Sequence, residues 1–182
     1  MTTAKLHSRE VEEALQEQKR IESRIRSIVI TLSILVVLAL TVIVLEKAVF
    51  PIIVVDGSSM EPGLYSGDIT VVNKLRTPSK GDIAAFSYQG KTVVKRLIAF
   101  GGDVVDIDSS GNVSVNGELL EEAYVSQKSL EPCEIEFPYV VPEGCFFVLG
   151  DNRAASADSR VFGSIEKENI LGTFIFRIWP VW

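Results

Sequence analysis

Histidine is nearly absent from this chain, and its scarcity narrows the chemistry that the chain can perform. The 182 residues include a single histidine, His7, close to the N-terminus. A serine hydroxyl needs a base before it can attack a carbonyl carbon, and histidine is the commonest base. His7 is separated from most of the chain by a long apolar run. A histidine-dependent hydrolase is therefore disfavoured, and lysine is the leading candidate base.

Other residues and patterns that are scarce or missing exclude further classes of protein. The sequence has no H-E-x-x-H pattern, and its two cysteines, Cys133 and Cys145, cannot by themselves complete a typical zinc site. We therefore expect no metal and no other cofactor. A net charge of -6, without a lysine–arginine cluster beyond the apolar run, argues against a nucleic-acid partner. The two cysteines permit one disulfide without requiring it, so a bridge and two thiols both stay open.

The apolar run covers residues 28–45 and contains no charged residue. At about 1.5 Å per residue it spans about 27 Å, close to the thickness of the hydrocarbon core of a bilayer. A removable signal peptide would have a shorter apolar core followed by small residues, whereas Glu46 and Lys47 follow here. The run therefore predicts an uncleaved transmembrane helix, and we expect the lipid bilayer to be a partner.

The charges beside the run predict its orientation. The cations before the run are Lys19, Arg20, Arg24 and Arg26, whereas Lys47 stands alone after it. Because cytoplasmic flanks are enriched in Lys and Arg, residues 1–27 are expected to form a cytoplasmic tail, a solvated helix or a disordered leader. Residues 46–182 are then expected on the outer face of the cell membrane, where Trp179 and Trp182 suit the interface.

The outer part reads as short β-branched runs separated by turns. The predicted strands are 68–73, 82–86, 92–98, 104–108, 113–115, 118–120, 146–149 and 170–179. Asn116-Gly117 is a strong signal for a two-residue hairpin. The acidic, turn-rich stretch 103–140 is expected to be a small inserted β subdomain between core segments of about 51–102 and 141–182. The predicted fold class is mainly β, with one N-terminal transmembrane helix.

Candidate chemistry first appears in Gly57-Ser58-Ser59-Met60, where a glycine lets the backbone approach a substrate closely. Composition does not choose between Ser58 and Ser59. Lys95 lies in an apolar strand, where burial would lower the pKa of its amine. Strand alternation places Arg96 on the opposite face, which predicts a buried amine and a solvated guanidinium. An exposed Lys–Arg pair at a strand end fits the pattern as well.

A second polar segment, residues 150–160, combines charges and hydroxyls. Its four charged residues could form two ion pairs within the loop, and the full set of polar side chains comprises Asp151, Asn152, Arg153, Ser156, Asp158, Ser159 and Arg160. A solvated turn and a rigid polar shelf behind the lysine are both compatible with it. Ser164-Ile165-Glu166-Lys167 fits the S-x-x-K pattern of penicillin-recognising enzymes, but their S-D-N and K-T-G signatures are missing, so we discount it.

Taken in order, these segments resemble bacterial type I signal peptidases, which are membrane-anchored serine proteases, and specifically their Gram-positive type. The resemblance covers about residues 54–180. Its boxes are Gly57-x-Ser59-Met60-x-Pro62, Gly67-Asp68-Ile69, Lys80-Gly81-Asp82-Ile83 with Val94-Lys95-Arg96, Gly101-Gly102-Asp103, and Gly150-Asp151-Asn152-Arg153 with Ser156, Asp158, Ser159 and Arg160.

The resemblance implies roles for several of these residues. Ser59 would be the nucleophile and Lys95 the general base. Ser156 would hydrogen-bond the lysine amine, and Asp158 with Arg160 would brace the site. The Ser59 backbone amide would donate to the oxyanion. Some family members have a serine where Gly57 stands, so the second oxyanion donor stays open.

The resemblance also implies a substrate, namely preproteins that carry signal peptides and are cleaved after small residues. We expect a monomer. Two alternatives stay open at this stage. One is a self-cleaving Ser–Lys repressor-type protein, which the membrane anchor disfavours. The other is an anchored extracellular binding module, in which Ser59 and Lys95 would be incidental.

Overall fold

The structure is a computed structural model that describes residues 2–179, with side chains described from residue 15 onward. The side chain of His7, the indole expected from Trp182 and the Pro180 end of the resemblance lie outside the described residues. The chain divides into two compact units, residues 1–45 and residues 46–182. Each unit is described by itself.

The described residues of the first unit lie within one long helix, α1, which runs from Thr2 to Ala48. Its stretch Leu15–Ala48 is long and apolar enough to cross a membrane. The three hydroxyls in the apolar run donate back to helix carbonyls: Thr31 to Ser27, Ser33 to Val29 and Thr41 to Val37. The polar groups of the run are thus satisfied inside the helix, as a span in lipid requires. The run predicted at residues 28–45 is part of a longer helix that also includes the tail.

The second unit is built on a seven-stranded antiparallel sheet. Its strands, in spatial order, are β1 (Ile52–Val54), β2 (Ile69–Asn73), β11 (Ile170–Trp179), β3 (Ile83–Tyr88), β4 (Lys91–Phe100), β9 (Cys145–Leu149) and β10 (Ile165–Glu166). The last strand of the chain therefore lies between β2 and β3. This sheet brings the loop after β1, strand β4 and the loop after β9 into one folded unit.

A second, four-stranded sheet is formed by residues that lie between β4 and β9 in the sequence. In spatial order it contains β7 (Glu118–Leu119), β6 (Val113–Val115), β5 (Val104–Ile107) and β8 (Tyr139–Val140). Asn116 and Gly117 connect β6 to β7 with φ angles of 56° and 82°. Both angles are positive, as a two-residue type I′ hairpin requires, and Val115 pairs with Glu118 across it. The predicted hairpin is confirmed.

Three apolar clusters hold the second unit together. One joins the two sheets, with Ala99, Phe147 and Leu149 of the large sheet packed against Val105 and Val113 of the small one. Another fills the large sheet around the buried Phe86 and Leu97. The third consists of Val55, Met60 and Leu64 after β1. The third cluster anchors the loop that carries the candidate serines.

The mainly β fold predicted from the sequence is confirmed, and every predicted strand is present with ends within about two residues. Three short strands were not predicted: β1, β8 and β10. The one-turn helix α2 (Ser159–Phe162) and the 3₁₀ turns Arg153–Ala155 and Lys167–Asn169 were also missed. β6 and β7 are equally short but flank the Asn116-Gly117 turn. The other short strands give too little alternation to be read from sequence, because their pairing is set by their tertiary neighbours.

Candidate active site

The candidate nucleophile lies in the loop between β1 and β2. Gly57 has a φ of 83°, which bends the chain just before the two serines. Met60 is then only 1% exposed and Leu64 only 2%. The Leu64 amide donates to the Met60 carbonyl at 2.8 Å, so these apolar anchors fix the loop. Ser59, one residue before the buried Met60, is half-buried, whereas Ser58 is exposed.

The structure brings Ser59 and Lys95 together. Lys95 is buried in β4, with 4% of its surface exposed, and its Nζ lies 2.5 Å from Ser59 Oγ. The two residues are far apart in sequence, and the sheet closes that distance. Ser58 makes no hydrogen bond to the lysine in the part of the chain with described side chains. The contact selects Ser59 of the two candidate serines.

The environment of Lys95 favours its neutral form. Burial is the largest influence and lowers the pKa of the amine from 10.5 to about 8. The Asp158 carboxylate opposes this shift, the Arg160 guanidinium adds to it, and Asp151 opposes it more weakly. Because the two charges of the Asp158–Arg160 pair act in opposite directions, desolvation decides the result. A lysine with this pKa has a substantial neutral fraction near neutral pH, as a general base needs.

Arg96 is not solvated, which corrects the expectation from strand alternation. Its Nε and Nη2 donate to both carboxylate oxygens of Asp151 at 2.8 and 2.7 Å, and Asp151 is fully buried. A third donor, Nη1, bonds the Gly81 carbonyl at 2.6 Å. The ring of Tyr124 covers the guanidinium, with its centroid 4.0 Å from Cζ. A bidentate ion pair compensates the burial of both charges.

The loop after β9 forms one internal ion pair, where the sequence had indicated two. Asp158 pairs with Arg160 through contacts of 2.8 and 2.9 Å, and it also accepts the Gly150 amide at 3.0 Å. Asp151 and Arg153 pair outside the loop, with Arg96 and with Glu122 respectively. Both members of the internal pair are buried. The loop is thus a rigid polar shelf and not a solvated turn.

Ser156 does not make the hydrogen bond to Lys95 that the resemblance implied. Its Oγ is buried and has no hydrogen-bond partner among the described side chains and backbone. The hydroxyl packs against Gly150, where an added Cβ would lie 2.2 Å from Ser156 Oγ and 2.5 Å from the Ser59 carbonyl oxygen. The lysine amine donates to Ser59 instead. Gly150 therefore provides the space that lets Ser156 approach the nucleophile.

The backbone amide of Ser59 is free to donate. In the described part of the chain the Ser59 amide donates to no acceptor, while its carbonyl accepts the Asn152 amide at 3.0 Å. The Gly57 amide already donates to Ser66 Oγ at 3.2 Å. A residue whose carbonyl is held in place while its amide stays open is suited to be an oxyanion donor.

Glu122 and Tyr124 were missed by reasoning from the sequence, whereas Arg96 and Asp151 were named but given the wrong surroundings. Asp151 was named as a charge but assigned to a partner within its own loop. Glu122 and Tyr124 lie in the turn-rich stretch before β8, where no periodicity or motif distinguished them. Their partners are set by tertiary structure, so a local pattern could not reveal them.

The structure describes both cysteines and most of the side chains that could bind a metal. Cys133 and Cys145 are free thiols, each partly buried, so the structure has two thiols and not a bridge. Within the described residues no cluster of three or more His, Cys, Asp or Glu side chains is arranged to hold a metal ion.

Comparisons with known proteins identify relatives of this chain. A family model described as signal peptidase, peptidase S26, matches residues 25–179. A probable signal peptidase I-2 from Synechocystis is 38% identical over 140 residues, which are 70% of this chain and 62% of that protein. Signal peptidase I from Bacillus caldolyticus is 38% identical over 152 residues, which are 75% of this chain and 83% of that protein.

A relative from another genus has a similar level of identity. Signal peptidase IB from Staphylococcus aureus is 33% identical over 146 residues, which are 69% of this chain and 76% of that protein. A crystal structure of a signal peptidase I from Enterococcus faecalis covers 55% of this chain and 98% of that one, with 34% identity and a TM-score of 0.48. The chain spans 62% to 83% of the length of the three curated relatives described here.

We expect Lys95→Met to stabilise the protein while removing the amine. Between pH 8 and 10.5 the unfolded chain binds more protons than the folded one, so wild-type stability should rise with pH there. Below pH 8 the folded protein bears the full free-energy cost of burying the protonated amine. Methionine should remove this cost and raise the free energy of unfolding by about 1–3 kcal/mol. Urea unfolding of the detergent-solubilised chain at pH 7 measures this.

The control for this prediction is Lys91→Met, which changes an exposed lysine at the start of the same strand. It should leave stability at pH 7 nearly unchanged. Equal or lower stability of Lys95→Met than wild type would contradict the assigned burial cost.

Proposed function

Since the chain belongs to the peptidase S26 family of signal peptidases, we propose that it is a membrane-anchored serine endopeptidase that removes N-terminal signal peptides from exported preproteins. The resemblance read from the sequence to type I signal peptidases is thereby confirmed. The observation that carries the proposal is the 2.5 Å contact between Ser59 Oγ and the buried Lys95 amine.

The proposed reaction begins with acylation. Neutral Lys95 takes the proton of Ser59 Oγ, and the oxygen attacks the carbonyl carbon of the scissile peptide bond. The Ser59 amide donates to the oxyanion that forms. As the C–N bond breaks, protonated Lys95 gives its proton to the leaving amine, which becomes the new N-terminus of the mature protein. The signal peptide then remains on Ser59 as an ester.

Deacylation uses Lys95 again as the base, and Ser59 is now the leaving group. Lys95, neutral again, takes a proton from a water molecule, whose oxygen attacks the ester carbonyl. Collapse of this second intermediate returns the proton to Ser59 Oγ and releases the signal peptide with a free carboxylate. Asp158 and Arg160 act by holding the loop beside Lys95 and by the opposing effects of their charges on its pKa.

Two features support binding of an extended peptide. Thr92 to Lys95 of β4 pair only with β3, since pairing with β9 begins at Arg96. β1 likewise pairs only with β2. Unpaired strand edges are suited to adding a peptide by main-chain hydrogen bonds. The apolar cluster of Val55, Met60 and Leu64, packed against Val94, is next to the nucleophile and suits small apolar residues before the cleaved bond.

The membrane setting of the proposed enzyme has two parts. The first is α1 as the anchor, with the N-terminus cytoplasmic because Lys and Arg precede the apolar run. The second is a set of exposed apolar side chains near β1 and at the end of β11, which we call the β1–β11 patch. Its exposed apolar side chains are Phe50, Ile52, Val54, Phe176, Ile178 and Trp179. We propose that this patch contacts lipid on the outer face and that the protein acts as a monomer.

The dyad is tested first by substitution. Ser59→Ala and Lys95→Ala should each abolish cleavage of a purified preprotein, because one removes the nucleophile and the other its base. Lys95→Arg should also be inactive, since a guanidinium stays protonated. Ser58→Ala is the matched control and should keep most activity. The readout is the N-terminal sequence of the product, and robust cleavage by Lys95→Ala would refute the dyad.

The pH dependence of cleavage tests the protonation state of the base. Activity should rise with pH and level off above an apparent pKa of about 8, because Lys95 must be neutral to accept a proton. The rate of peptide cleavage should be followed from pH 6 to 10 and should not respond to a metal chelator. An apparent pKa near that of free lysine, or loss of activity with a chelator that zinc restores, would contradict the assignment.

The β1–β11 patch predicts membrane binding without the anchor. A chain of residues 46–182 should float with phospholipid vesicles and cleave soluble peptides faster when detergent is added. The control is the same chain with both Phe176→Ser and Trp179→Ser. It should float less with vesicles, and its cleavage rate should respond less to detergent. If the unsubstituted chain stays free of vesicles and detergent leaves its rate unchanged, the patch is not a lipid contact.

A further inference from the structure

The segment that leads away from the small sheet, residues 120–127, returns to the active site. We call it the return segment. Its Glu122 carboxylate forms a two-point ion pair with Arg153, accepting from Nη1 at 3.2 Å and also from Nη2. The two side chains are 6% and 3% exposed, so this pair is shielded from water. Removing one partner of a buried ion pair destabilises a protein much more than removing one partner of a surface pair.

Arg153, the partner of Glu122, fastens the two ends of the catalytic loop. Its Nε donates to the Gly150 carbonyl at 2.9 Å, at the start of the loop. Its own carbonyl accepts from Nη2 of Arg160 at 2.7 Å, at the end of the loop. Arg160 is paired with Asp158 beside Lys95. Glu122 therefore holds a cation that connects Gly150 to Arg160, next to the base.

Tyr124 makes a second connection, to the other side of the base. Its ring stacks over Arg96, the residue after Lys95, and its hydroxyl donates to Glu122 Oε1 at 3.2 Å. Burial, with the Glu122 charge adding to it, raises the pKa of this hydroxyl to about 12, so it stays a donor. One side chain thus joins the Arg96–Asp151 pair to the Glu122–Arg153 pair.

The end of the return segment meets the nucleophile loop. Gln127 forms a parallel bridge with Asn152, whose amide holds the Ser59 carbonyl. Ser126 Oγ lies 3.5 Å from the Glu61 carbonyl, two residues after the nucleophile. The return segment is therefore in contact with all three parts of the site: the loop of Ser59, the strand of Lys95 and the loop of Asp158.

We infer that Glu122 and Tyr124 are positioning residues for the peptidase reaction, which hold Arg153 and Arg96 so that the catalytic loop keeps Ser59 and Lys95 aligned. The inference rests on the proposed function. Neither side chain contacts Ser59 or Lys95, so both act through the two arginines.

This role has a kinetic signature. A displacement of about 1 Å at a reacting group costs up to about 100-fold in rate, whereas substrate binding depends on other surfaces. The cluster of Val55, Met60 and Leu64, proposed to receive the substrate, contains no member of the return segment. Loss of Glu122 or Tyr124 should therefore lower kcat and leave KM nearly unchanged.

The test compares Glu122→Gln, Tyr124→Leu and Tyr124→Phe in the full-length, detergent-solubilised enzyme. The readouts are kcat per active site, titrated with a slow acylating substrate, together with KM and the thermal midpoint. Titration removes any loss that comes only from unfolded molecules. Arg177→Gln is the matched control, because it breaks another ion pair with a buried carboxylate, Asp68–Arg177, from its β11 side.

We expect Glu122→Gln and Tyr124→Leu to lower kcat by about 10- to 100-fold with KM within about twofold of wild type. Tyr124→Phe keeps the ring over Arg96 and loses only the hydroxyl contact, so it should retain most of the rate. Arg177→Gln should lower the thermal midpoint without lowering kcat per titrated site. If Glu122→Gln does not fold, Tyr124→Leu alone decides the question, because Tyr124 is only partly buried.

The inference is overturned if kcat per titrated site in the folded variants matches that of Arg177→Gln, or if only KM changes. Ser59→Ala is assayed in parallel to separate this result from the proposed function. An active Ser59→Ala would refute the proposed function itself. An inactive Ser59→Ala beside a fully active Tyr124→Leu would refute the positioning role alone.

Discussion

A lysine amine buried beside a serine hydroxyl is the constraint on which the rest of the site depends. Lys95 can act as a base only while it is neutral, and neutrality follows from removing it from water. That requirement explains why the proposed base lies inside a β-strand, whose backbone is held by pairing with β3, and not in a mobile loop. It also explains why the serine is presented on a loop anchored by the buried Met60 and Leu64.

Three ion pairs join the strand of this amine and the loops around it. Arg96–Asp151, Arg153–Glu122 and Arg160–Asp158 each join one cation to one anion. Because each pair is close to neutral as a whole, burial continues to control the pKa of Lys95. The first two pairs also tie together segments that are distant in sequence. The same contacts therefore align the reacting groups and limit the electrostatic cost of enclosing them.

Sequence patterns predicted the features that are set locally. The apolar run, the Asn116-Gly117 hairpin and the longer strands follow from composition and turn chemistry, and the family resemblance selected Ser59 over Ser58. The environment of Arg96, the isolated hydroxyl of Ser156 and the partner of Arg153 did not follow. Each depends on which side chain another segment brings to it, and Glu122 lies in a stretch with no periodicity at all. Partner choice among charges is a tertiary property.

The most direct test of this account is the pKa of the Lys95 amine itself. Nuclear magnetic resonance of the enzyme with isotope-labelled lysine side chains, titrated from pH 6 to 12, would measure it, and the Lys95→Met spectrum would assign the signal. The account predicts one lysine that titrates near pH 8, well below the others. A Lys95 signal that titrates near 10.5 with the rest would show an amine that stays charged, and would contradict the proposed mechanism.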